Sequence, residues 1–312
     1  MRWVVFKGTN SNSIYDFSTT DIININLKFW LDWSFLNISA FQTVSVNDSG
    51  IYGGDLSRLI PVRDRYYTDG QVWKFPKNNL VWESGLTYQT QPVNISGAYV
   101  DNSFNTSLTV DYAQSRIIFD SAISSTSTVQ ANYSYKVIDI KSSHESQFFK
   151  ELQGGSLRPD LIDYGIGSGE YEYNRLQLPC IVYETVGKRF TKGYQLGMGH
   201  VNQRDIIFHI FSEDYGLNDR LSDIISEQQD KTIFLFDTQR AANSGVFPLE
   251  YNGALSDSAK TYNQLIELNS NNGYRWRKFD FLDSTSQQTN ELGNNIYHTP
   301  VRFITNLVLT NV

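Results

Sequence analysis

Between Thr109 and Ile140 apolar and polar positions alternate almost without interruption, in the run TVDYAQSRIIFDSAISSTSTVQANYSYKVIDI. Successive side chains of a strand point to opposite faces, so this period of two predicts half-buried strands. Val129, Ala131, Tyr133, Tyr135 and Val137 fall on one face of the last one. Turns are predicted at Ser96-Gly97, at Asp101-Asn102 and over Ala113 to Ser115. With NLVWESG at 79–85, these segments predict five or six short strands. That spacing suits a compact antiparallel β-sandwich or barrel, here over residues 79–141.

The flanking regions follow other rules. Residues 1–78 are expected as an irregular N-terminal arm that wraps a neighbour, or as part of the core. Within them IININLKFWLDWSFL mixes β-branched and aromatic residues and predicts a strand followed by a short turn of helix. Residues 142–177 read as a linker with a short helix from Ser146 to Leu152. The linker's GIGSGE resembles a nucleotide-binding glycine loop only superficially, since no β-run precedes it and no βαβ unit follows. From Leu178 onward strands are predicted in PCIVYETVGKRF, QRDIIFHIFSED and, as a buried one, TIFLFD. Leu217, Leu221, Ile224 and Ile225 lie at i, i+4, i+7 and i+8, one helical face. TYNQLIELN adds a helical turn, and two antiparallel strands close the chain. Residues 178–312 therefore read as an α+β domain, a sheet with one principal helix, and the whole chain as β-rich α+β.

Composition narrows the function. Tyr and Phe, at 19 each against two Met, favour strands over helices. A net charge of −7 excludes a broad basic face for tight phosphate binding. Its densest basic run is YRWRKF, Tyr274 to Phe279. One cysteine, Cys180, excludes an internal disulfide, fits a reducing compartment, and reads as a small buried strand residue. No signal peptide or membrane span is predicted.

Candidate chemistry is sparse. His144, His200, His209 and His298 lack the spacing of a metal site, so no metal or cofactor is expected. His209 alternates on a predicted strand and reads as a packing histidine. His200, in the glycine loop GMGHVNQRD, is the histidine best placed for a functional role. The Glu213-Asp214 and Glu170/Glu172 pairs read as solvated turn residues, and no serine elbow or Cys-His arrangement accompanies any of them. The chain is therefore expected not to be an enzyme.

Two segments carry a resemblance. VDYAQSRIIFD followed by VQANYSYKVIDI resembles the hairpin and strand of a β-domain in virion structural proteins of tailed bacteriophages, with Ser115 where a glycine is usual. QRDIIFHIFSEDYGLNDRLSDIISEQQDKTIFLFD is similar to the strand-helix-strand of tail terminator and related neck proteins. The resemblance spans residues 80–312. It implies a homo-oligomeric ring, commonly a hexamer, joining head connector and tail and contacting other neck and tail proteins. Such a subunit is assembled in the host cytoplasm and resides in the virion. DNA would pass through its lumen without specific binding. Assembly contacts are expected at Trp30, Trp33, Tyr66 and Tyr67 in the N-terminal region, and in the loop from Gly193 through His200 to Arg204. The other reading is a baseplate or fibre-attachment protein whose β-domain binds a partner or a surface glycan.

Overall fold

A stripe of apolar residues, Ile23, Leu27, Trp30, Leu31 and Phe35, recurs at helical spacing near the start and is buried throughout. It forms helix α1 (Thr19–Asn37) in the computed structural model, which describes residues 19–46, 55–86, 91–153, 177–186, 190–195, 198–270, 277–292 and 295–309. The strand expected over this stretch is thus replaced by a helix. Burial of one continuous stripe outweighs the β preference of its Ile, Phe and Trp residues. Asn26 fixes the helix in place: its side chain accepts from Phe236 N at 2.8 Å and donates to Phe236 O at 3.1 Å. Residues 19–37 are therefore core rather than a wrapping arm; residues 1–18 lie outside the described set.

Nine short strands follow among the described residues. They are β1 (Phe41–Val44), β2 (Ile60–Pro61), β3 (Val72–Lys74), β4 (Ala98–Val100), β5 (Ser103–Asn105), β6 (Leu108–Asp111), β7 (Arg116–Phe119), β8 (Val129–Gln130) and β9 (Tyr133–Lys136). They form three small antiparallel sheets, ordered β2-β3-β7-β6, β5-β4-β8 and β1-β9. Their shared core contains Val44, Leu59, Trp73, Phe119, Tyr133 and Tyr135. Val129, Ala131, Tyr133 and Tyr135 point into it together, as alternation predicts. Strands β1–β3 precede residue 79 yet belong to this core, so packing draws no boundary there. The β4–β5 turn puts both Asp101 and Asn102 at positive φ, the backbone of a tight hairpin. At Ser96-Gly97 there is no turn. Gly97 instead lies beneath Phe104, where a Cβ would come within 2.6 Å of the ring.

The second half is one large mixed sheet. Its elements are β10 (Asp139–Ser142), α2 (Gln147–Gln153), β11 (Cys180–Thr185), β12 (Phe190–Gln195), β13 (Met198–Ser212), α3 (Tyr215–Ser226), β14 (Thr232–Phe234), α4 (Thr238–Asn243), α5 (Tyr262–Ser270), β15 (Arg277–Ser286), β16 (Asn290–Glu291) and β17 (Tyr297–Leu309). The order is β10-β11-β13-β17-β15-β14, with β12 also on β13 and β16 on β17. One face, through Ile206, Phe208, Phe281 and Phe303, packs on α1, α3 and α5. The predicted helical face appears in α3, which buries Leu221 and Ile225 and is capped by Asp214 accepting from Leu217 N at 2.6 Å. Glu213 and Asp214 are both exposed, as expected, and Asp214 serves in addition as the helix cap. TIFLFD is not a fully buried strand: only Thr232–Phe234 pairs, at the sheet edge, with Phe234 44% exposed. Among the described helices of residues 178–312 α3 is the longest, and α1 packs on the same sheet from the N-terminal region. Among the described residues strand outweighs helix, the β-rich α+β class expected.

Candidate functional site

The expected contact residues separate into three places. Trp30 is 5% exposed and lies within the large core, its ring 5.5 Å from Phe281. Trp33 is half-buried, between that core and a small cluster of Leu36, Val81 and Leu86. The helical stripe turns both inward, so they anchor this chain's own fold. Tyr66 stands 74% exposed, with the Arg65 guanidinium 4.6 Å above its ring. Tyr67 is half-buried and covers Arg116 at 5.7 Å. Gly193 and His200 face each other across the β12–β13 register, so the predicted glycine loop is a hairpin arm. The His200 side chain lies outside the described set. Arg204 is buried, and burial lowers its pKa from the ordinary arginine value. Of the six whose exposure is described, Tyr66 and Gly193 are exposed.

Three ionisable clusters emerge that the sequence did not announce. Lys136, on the phase of β9 expected to meet solvent, is buried against α1. Its Nζ lies 2.9 Å from Asp32 and 2.6 Å from Glu83. Burial opposes the ammonium charge, but the two carboxylates outweigh it and hold Lys136 above its ordinary value. Desolvation pushes Glu83 up, because one lysine cannot fully balance two buried acids. Arg116 makes a similar link, 2.5 Å from Asp64 and 2.9 Å from Asp111.

The third cluster lies on the other face of the large sheet. His209 Nδ1 is 3.0 Å from His298 Nε2, with the rings stacked at 5.3 Å. Phe149 and Phe211 close over them, each 4.6 Å from one imidazole. Burial pushes both histidines down to about 4, so they are neutral at pH 7. Glu184 stands 3.5 Å from His209 Nε2. His209 is thus a packing histidine, as its strand position indicated. Among the described residues no group of three His, Cys, Asp or Glu side chains is arranged to hold a metal ion. No helix among them is long and apolar enough to cross a membrane.

These ionisable groups spend their charge and hydrogen bonds on internal links. Among the described residues, the large sheet ends in two strand edges. Beyond the end of β11, β13 pairs instead with β12, whose Phe190 to Gly193 are all exposed. At the opposite end of the order lies β14. Such edges are templates for pairing with another chain. The chain matches no protein-family model, no curated protein and no solved structure.

Proposed function

We propose that the chain is a structural subunit of a tailed-phage virion, a neck or tail-terminator protein rather than an enzyme. Copies close into a ring, commonly a hexamer in the proteins the sequence resembles, between head connector and tail. Other neck and tail proteins bind its ends, and DNA passes through the lumen. The observation that carries this reading is the pair of strand edges, β12 and β14, at the two sides of one antiparallel stretch of sheet. A closed ring covers such edges without letting them run on into fibres. A net charge of −7 suits a protein that DNA passes without the counterion release that drives tight binding.

Negative-stain images of the purified chain test the proposal. Closed rings of uniform diameter are expected. Single particles that bind a glycan without assembling would overturn it in favour of the baseplate or fibre-attachment reading.

A further inference from the structure

The two edges are matched in level. In the half of the sheet beyond β11 the order is β12-β13-β17-β15-β14, antiparallel at every step. One row runs Thr191, Asn202, Leu307, Phe279, Ile233 from edge to edge. The rows on either side end in Phe190 opposite Thr232, and in Lys192 opposite Phe234. With four antiparallel steps between them, β12 and β14 run in the same direction. A second copy set beside the first in the same orientation therefore brings its β12 alongside β14, parallel and at the same level.

We propose that β12 of one copy pairs with β14 of the next, a head-to-tail contact that rests on the self-assembling reading above. Charge selects this arrangement over the alternative in which β12 meets its own copy. Lys192 is exposed on β12, and between Glu184 and Asp205 the sequence carries no carboxylate. Pairing β12 with itself sets like charges together. The β14 side offers the opposite sign: Glu227 and Asp230 are exposed on the turn leading into β14, while the neighbouring Lys231 turns back over the Trp30 ring. Each edge also exposes one phenylalanine, Phe190 at 54% and Phe234 at 44%. Tyr262 Oη donates to the Phe234 carbonyl at 2.8 Å, which closes that end of β14 and directs the incoming strand to Thr232.

Cysteine cross-linking of the full chain tests this directly. Two double variants are made, Phe190→Cys with Thr232→Cys and Lys192→Cys with Thr232→Cys, alongside the three single variants. Within one chain the two positions lie four strand spacings apart, roughly 19 Å along the sheet, too far for an internal disulfide. Cys180 is fully buried and takes no part. Under mild oxidation at least one double variant is expected to give a ladder of linked species beyond the dimer. Single variants stop at the dimer, because only a chain with both edges marked can propagate. Rings in the images with no ladder from either double variant would overturn the edge pairing and leave the ring reading intact. A ladder from a chain that forms no rings would do the reverse. Lys192→Glu is expected to weaken assembly and Asp230→Lys, added to it, to restore it; a ring insensitive to both would also count against the pairing.

Discussion

The two cores of this chain are held together by different means. In the first, strands of two to four residues carry few ladder hydrogen bonds each, and their order comes from turns and buried ion pairs. Arg116 ties the β6–β7 hairpin to Asp64, and Lys136 ties β9 to α1 through Asp32 and to Glu83. In the second, β13 and β17 pair over thirteen residues, and apolar burial on one face supplies most of the cohesion. Short strands need specific polar anchors to define their register, whereas long ones define it by length and alternation. The contrast predicts that the first core breaks at single charges and backbone positions, while the second yields to pH and volume.

The largest effect is expected at Lys136. Lys136→Met leaves Asp32 and Glu83 buried without a counter-charge, and such an unpaired charge costs about 3–5 kcal/mol. Denaturant unfolding should show that loss, and adding Asp32→Asn and Glu83→Gln should recover most of it. A single Lys136→Met change costing under about 1 kcal/mol would mean the cluster is not the anchor described.

Gly253 marks where the halves meet. Its carbonyl accepts from Tyr112 N at 2.9 Å, its φ is +81°, and a Cβ there would lie 1.9 Å from the Asp111 carboxylate. Gly253→Ala is expected to cost about 2 kcal/mol, from left-handed backbone and the clash together. Thermal unfolding measures it, and a neutral result would show the two cores to be less firmly joined.

The second core should respond to acid. His209 and His298 titrate near 4 when folded and near 6.5 when unfolded. Between those values the unfolded chain binds protons that the folded chain does not, so stability falls as pH drops from 6.5 towards 4. The loss is on the order of 2 kcal/mol after allowance for partial exposure. Unfolding curves of the His209→Phe, His298→Phe double variant should be flatter over this window than those of the wild type.

The smallest effect is a gain. Ser115 holds φ +52° at the turn between β6 and β7, a conformation glycine adopts without strain. Ser115→Gly is expected to raise stability by up to about 1 kcal/mol, read from the denaturant midpoint.

How much of this was legible in the sequence follows from range. Alternation located β6, β7 and the inward face of β8–β9, and helical spacing located α3, because those signals lie within a few residues. The two closing strands, β15 and β17, were likewise legible as an antiparallel pair. Helix α1 was hidden because its β-branched and aromatic residues have the opposite local preference, and its stripe is explained only by the sheet it packs on. Lys136 sits on the polar phase of its strand, and its partners lie 104 and 53 residues away. The hairpin at Gly193 to Arg204 has the local signature of a loop, because its glycines mask a strand that long-range pairing with β17 supports. Of the expected contact residues, aromatic type alone could not distinguish Trp30, which turns inward, from Tyr66, which does not.

The most direct test of the assembly reading is the solution mass of the wild-type chain by light scattering over a tenfold dilution. The account predicts a constant mass near six times that of one chain, from closed rings. A mass of one chain at every concentration would contradict it.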